Sequence, residues 1–188
     1  SAAPNYPRDL FEAITGKSAR TLLRLPYGIS EVSPDNFAPN SARAVAFLAA
    51  EVLSKSKSVI VAVPDWRDLE NCERALRSVL PEWCLITSSS RSSPSERYSS
   101  YLRTFDPVPQ VVLGSRHSLY YQPKNLGLII IFDEADGAHR EPLSPYPHSR
   151  DIGMIRNSEE SVAVCFAGIQ ESLAVRRWVD MGYVQELS

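Results

Sequence analysis

Two stretches of the chain are apolar almost without interruption, residues 58–63 (SVIVAV) and 128–132 (LIIIF). A strand with one face in water alternates polar and apolar side chains. Unbroken β-branched runs of this length instead fit strands covered on both faces, the condition of a parallel sheet lined by helices. Shorter runs of the same kind stand at 21–25 (TLLRL), 83–87, 110–113 and 161–166. Helical patterns separate them: an alanine-rich segment over 41–53, a second from the capping Asp65 to about Leu80, a third over 96–105 and a fourth over 170–179. This alternation predicts an α/β fold of three layers around a mostly parallel sheet with right-handed crossovers. Residues 6–14 have helical spacing and lead into the first strand, whereas 26–40 (PYGISEVSPDNFAPN) is broken by Pro26, Pro34 and Pro39 and reads as an irregular connection. A length of 188 residues, 44% of them apolar, is enough for one domain with a substantial core, residues 1–20 forming its lead-in.

Twenty basic against 22 acidic residues leave a net charge of −2, so no global basic field points to nucleic acid and any such contact must come from a local patch. Cys72, Cys84 and Cys165 lie far apart without CxxC spacing, which favours reduced thiols in apolar surroundings over a disulfide framework or a zinc site. No signal peptide opens the sequence and no apolar run reaches the roughly 18 residues of a membrane span, so a cytoplasmic setting is expected.

In parallel sheets of this kind ligands sit beyond the carboxyl ends of the strands, which directs attention to the loops after Leu25, Val63, Leu113, Phe132 and Ala167. After Phe132 the chain reads DEAD, residues 133–136. Carboxylates directly after an apolar strand form a Walker B motif, with Asp133 orienting magnesium and Glu134 polarising the attacking water. Acidic residues in such a place also serve as helix caps. A Walker B motif needs a phosphate loop, and only Gly16-Lys17-Ser18 has the tail of GxxxxGK[ST]. Its first glycine would fall at Phe11, and a helical pattern precedes it where a strand is required, so it reads as a helix C-cap. The loop after TLLRL, where a phosphate cradle belongs, has a solitary Gly28, no nearby lysine, and prolines in place of amide donors. His117, His139 and His148 are placed beside no thiol and read as solvated or loop residues.

Residues 111–156 carry a further pattern: Gly114-Ser115-Arg116 after a strand, the apolar aromatic Leu119-Tyr120-Tyr121, Lys124-Asn125-Leu126-Gly127-Leu128 leading into the acidic motif, and the tail Pro145-Tyr146-Pro147-His148-Ser149-Arg150-Asp151. Together with VIVAVPDWRDL at 59–69, these elements resemble the PriA family of replication restart helicases from about Thr21 onward. The resemblance implies a RecA-like helicase lobe, P-loop NTPase-like in fold, from a larger multidomain bacterial protein. In that family the lobe works with a second helicase lobe, and a cysteine-rich zinc region lies outside the part matched here.

Departures from the family pattern fall at the chemistry. The glycine-lysine loop is missing, and the Gly-Ser-Ala-Thr-Pro turn after the last strand is replaced by Ala167-Gly168-Ile169-Gln170-Glu171-Ser172. An ungapped alignment from Lys124 puts Phe132 at the family's magnesium aspartate, and a one-residue shift along a strand changes the face a side chain serves. These losses resemble the degenerate PriA-like proteins of actinobacteria. They imply a primosome scaffold, nucleoid-associated when acting, that binds branched or single-stranded DNA and other replication-restart proteins with no cofactor of its own. DNA contacts are expected in loops after strands, at Arg67, Arg116 and Lys124. Two alternatives remain open: an active helicase lobe that binds Mg-ATP through an unusual phosphate loop, and an unrelated doubly wound small-molecule enzyme in which DEAD is a capping loop.

Overall fold

The computed structural model of the chain describes residues 8–89 and 92–187. Helix α1 (Arg8–Thr15) leads into strand β1 (Arg20–Arg24), and a hairpin of β2 (Ile29–Ser33) and β3 (Asn36–Pro39) precedes α2 (Asn40–Ser54). Then β4 (Ser58–Ala62), α3 (Trp66–Arg77), β5 (Leu85–Ser88), α4 (Pro94–Arg103) and β6 (Val111–Gly114) alternate. The chain closes with β7 (Leu126–Phe132), α5 (Ser149–Glu160), β8 (Ala163–Gly168), α6 (Leu173–Asp180) and β9 (Gln185–Leu187).

Seven strands form one sheet in the order β5-β6-β4-β7-β8-β1-β9, and every pairing is parallel. The two long apolar runs are its neighbours β4 and β7, which explains their composition: β4 is buried at all five positions and β7 at its last five. Alternate side chains feed two cores. Val59, Val61, Leu128, Ile130 and Phe132 pack in the layer of α1, α2 and α3, whereas Ile60, Ile129, Ile131, Val164 and Phe166 pack in the layer of α5 and α6. The three cysteines are free and buried in these cores, and burial pushes the Cys165 thiol up to about 12.

The structure departs from the sequence reading in four places. Residues 26–40 contain the antiparallel β2–β3 hairpin, because Ser30 and Val32 face the protein while Asp35, at φ 59°, takes the left-handed turn that aspartate tolerates. Helix α5 is absent from the sequence reading because Gly153 interrupts its propensity. That glycine lets the helix lie flush on β7, since a Cβ there would stand 2.8 Å from Ile131 Cδ1. Strand β5 begins at Leu85, after a short 3-10 turn over Glu82–Cys84, and the brief edge strand β9 was not anticipated. The helix expected over 6–14 is described from Arg8 onward, its first two residues lying outside the described part.

Candidate functional site

Strand β8 lies between β1 and β7, so the loops leaving these three carboxyl ends meet. The backbone N–H of Leu25 donates to Gly168 O at 2.9 Å, and that of Asp133 to Ala167 O at 2.8 Å. Between the loops is a cleft of about 410 Å³ lined by Tyr27, Asp133, Ala135, Asp136, Ile169 and Gln170. Gly16-Lys17-Ser18 is elsewhere, in the turn before β1 at the opposite edge of the sheet.

A phosphate cradle is built from amides that point outward at the start of a helix. Here the chain turns back on itself before α2 begins. Gly28, at φ +98°, carries it into the hairpin, and Asn40 at the start of α2 closes the loop. The Asn40 backbone N–H donates to Gly28 O at 2.8 Å, its Nδ2 donates to Tyr27 O at 2.9 Å, and its Oδ1 accepts from Ser30 Oγ at 2.7 Å. Ser41 and Ala42 behind it are buried.

The two carboxylates of the acidic motif have different surroundings. Phe132 is the last residue of β7, and its ring belongs to the core shared with α2. Asp133 follows the strand in a left-handed conformation, φ 50°, on the wall of the cleft. Burial, then Asp136 and Glu134, push its carboxyl above the usual range. Glu134 is 1% exposed. Its Oε1 accepts the Ser172 backbone N–H at 2.6 Å, and its Oε2 accepts from Ser172 Oγ at 2.9 Å and from Arg150 Nη1 at 3.4 Å. Ser172 also caps α6 by accepting from Val175 N–H. The carboxylate therefore ties the loop after β7 to the starts of α5 and α6.

His139 and His148 extend this tie, which corrects their reading as solvated or loop residues. His139 is fully buried, donating from Nε2 to Phe132 O at 2.8 Å and accepting at Nδ1 from Ser149 Oγ at 2.9 Å. Those partners select the neutral Nε2–H tautomer, and burial lowers the imidazole's pKa. His148 caps α5 by accepting from Arg150 N–H, and burial followed by Arg150 brings its pKa down to about 4. Only His117 is exposed as expected.

The three basic residues singled out for DNA do not form one group. Arg67 is exposed in the first turn of α3, its guanidinium over the Trp66 ring at 5.4 Å. Arg116 follows β6 but is paired with Glu141 at 2.7 Å. Lys124 stands at the opposite edge of the sheet, because it precedes β7 rather than following a strand; its carbonyl accepts from Ser58 Oγ at the start of β4. Asp68, in the first turn of α3, also belongs to the site and was missed by sequence reasoning. Burial, then Asp65, Asp133 and Asp136, push its carboxyl up to about 6. The centre of the carboxyl edge thus gathers Asp68, Asp133 and Asp136, with Arg150 engaged by Glu134 and with Arg67 and Arg116 to the sides. Among the described residues no group of three or more His, Cys, Asp or Glu could hold a metal ion, and no helix is long and apolar enough to cross a membrane.

An all-parallel, three-layer sheet in which one strand, β8, separates the strand before the acidic motif from β1 is a RecA-like fold, and solved structures share it. T4 UvsW superposes with a TM-score of 0.56 at 16% identity, covering 95% of this chain and 32% of that one. The Pyrococcus furiosus Hef helicase domain gives 0.55 at 15% identity, covering 97% and 38%.

In sequence, the chain is similar to PriA replication restart proteins. It is 27% identical over 139 residues to the probable PriA of Mycobacterium tuberculosis, covering 74% of this chain and 21% of the relative. It is 26% identical over 139 residues to that of Mycobacterium leprae, with the same shares covered. The PriA of Helicobacter pylori is 25% identical over 137 residues, covering 72% and 22%. The chain thus spans about a fifth of the length of these relatives. No protein-family model matches it.

Proposed function

We propose that the chain is a helicase-like lobe of a PriA-type replication restart protein that binds branched or single-stranded DNA and partner proteins in the bacterial cytoplasm without turning over ATP. The observation that carries this reading is the loop after β1. Its hairpin is closed by Asn40 onto Gly28 and Tyr27, in the place where amides and a lysine would hold phosphates. Glu134 adds support, since both of its oxygens are engaged by Ser172 and Arg150 instead of being open to an attacking water. Phe132, which an ungapped alignment sets at the family's magnesium aspartate, turns its ring into the core shared with α2. The residues present therefore do not fit a magnesium-bound triphosphate. DNA contact is assigned to the sides of the carboxyl edge, to Arg67 and Arg116, and not to Lys124 on the far edge.

The position of Asp133 on the cleft, with only β8 between its strand and β1, favours the second reading, an active lobe with an unusual phosphate loop. ATP hydrolysis by the full-length parent protein on branched DNA separates the two. The non-hydrolytic reading expects a rate indistinguishable between wild type and Glu134→Gln. Hydrolysis that this substitution abolishes would establish the second reading.

A further inference from the structure

On the α5–α6 side of the sheet, at its amino edge and so at the far end from the acidic cleft, lies a pocket of about 370 Å³. Arg20, Met154, Arg177, Trp178, Met181 and Tyr183 line it, among others. Local causes shape each wall. Trp178 packs on Phe166 of β8 with 5.8 Å between ring centroids. Gly182, at φ +75°, turns the chain back after α6, and the Tyr183 backbone N–H donates to Trp178 O at 2.8 Å. Arg20, at the start of β1, donates from Nε to Asn157 Oδ1 at 2.6 Å. Asn157 is itself buried and donates to Ala19 O and Val162 O, so the guanidinium is held in place from behind.

The lining leaves both charge and apolar surface unspent. Arg20 is oriented by a neutral amide and by Ser158 Oγ at 3.4 Å, and neither it nor Arg177 forms an ion pair with a described residue. Neighbouring arginines differ: Arg24 is engaged by Glu171 and Glu186, and Arg176 by Asp180 and Glu186. No carboxylate lines the pocket. The chain's two methionines both do, and Met181 and Tyr183 are 56% and 55% exposed. Thioethers adapt their shape to an inserted apolar group, and Met, Trp, Tyr and Arg are the residue types that gather at the centre of protein interfaces. Two guanidiniums without a counter-charge suit carboxylates. The volume suits one large side chain more than a whole drug-sized ligand.

We propose that this pocket docks an acidic segment of a partner protein, which inserts one large apolar side chain between Met154, Trp178 and Met181 and sets carboxylates on Arg20 and Arg177. The assignment rests on the partner-binding part of the reading above and needs neither DNA nor ATP. Fluorescence anisotropy on the 188-residue chain tests it, using a labelled peptide, capped at both ends, in which one phenylalanine stands among glutamates. A counterpart with alanine for phenylalanine should bind about fivefold or more weakly. Met181→Asp should weaken the phenylalanine peptide by a similar factor. Arg177→Ala should weaken both peptides and flatten the salt dependence of binding. Thermal melts of both surface variants check that they fold. Equal binding of the two peptides, or variants that bind like wild type, would overturn the proposal. If the peptides fail while labelled oligothymidylate binds every variant, the pocket is wrong and the DNA reading stands. An equal loss of oligothymidylate and peptide affinity in Arg177→Ala would make this a nucleic-acid site and overturn the protein assignment. Binding only by a peptide whose phenylalanine carries a free terminal carboxylate would overturn the assignment to an internal segment.

Discussion

Glu134 and Ser172, 38 residues apart, are joined twice: the serine donates its backbone N–H at 2.6 Å and its hydroxyl at 2.9 Å to the two oxygens of one buried carboxylate. In a chain whose acidic motif invites a catalytic reading, this relationship makes Glu134 a structural brace between the ends of β7 and β8. It also fixes the loop following DEAD against the start of α6.

Removing the brace should be costly. Arg150 is 15% and Glu134 2% exposed at the side chain, so Glu134→Ala leaves a largely buried guanidinium without its nearer carboxylate, Asp151 standing at 4.0 Å. We expect a loss of about 3 kcal/mol or more in urea unfolding. Ser172→Ala, which keeps the backbone N–H but loses the hydroxyl and the cap on α6, should cost about 1 kcal/mol. Equal, small effects from both would mean the carboxylate is not a brace.

Asp68 should make stability fall as pH rises. Its folded carboxyl titrates at about 6 against an ordinary 3.8, so between these values the folded state holds the proton more tightly than the unfolded one. Stability is favoured below pH 3.8 and lost progressively up to about pH 6. Asp68→Asn should therefore be the more stable protein at pH 7, by about 1 kcal/mol after allowing for partial exposure and the lost helix-dipole contact. The advantage should shrink towards pH 4. Unfolding free energies of both proteins across that range measure it.

The buried histidines work in the opposite direction. His148 titrates at about 4 when folded against an ordinary 6.5, and His139 is also lowered. The unfolded chain takes up these protons first, so their contribution is intact above pH 6.5 and is lost as pH falls towards 4. His148→Asn keeps a capping side chain on α5 and removes this titration. Its stability should decline less than that of wild type between pH 6.5 and 4, as read by denaturant midpoints.

Gly114→Ala brings a Cβ against the Ser88 carbonyl, which cannot swing aside as a side chain could. A destabilisation of about 1–3 kcal/mol is expected in chemical unfolding.

Much of the fold was legible in single segments. The apolar runs at β4 and β7 announced two-sided burial, and Asp65 capped α3 as its position suggested, accepting from the backbone N–H of Arg67 and Asp68. What escaped was decided across the chain. The hairpin at 29–39 is too short and too polar to announce itself, and α5 hides behind Gly153, which packs against Ile131 on another element. The acidic motif stands out from local pattern, but what Glu134 touches is decided by Ser172 and Arg150, which no spacing rule joins to it. Lys124 was misplaced for a simpler reason: a residue that precedes a parallel strand belongs to the amino edge, however close in sequence it lies to a motif at the other end.

With the hairpin and Asn40 standing where a phosphate-binding loop would be, the chain should have no site for Mg-ATP. Calorimetric titration with Mg-ATP measures this, on the chain and on any longer protein that carries it. No saturable heat is expected in either titration. Saturable binding with a micromolar Kd, weakened by Asp133→Asn, would contradict it.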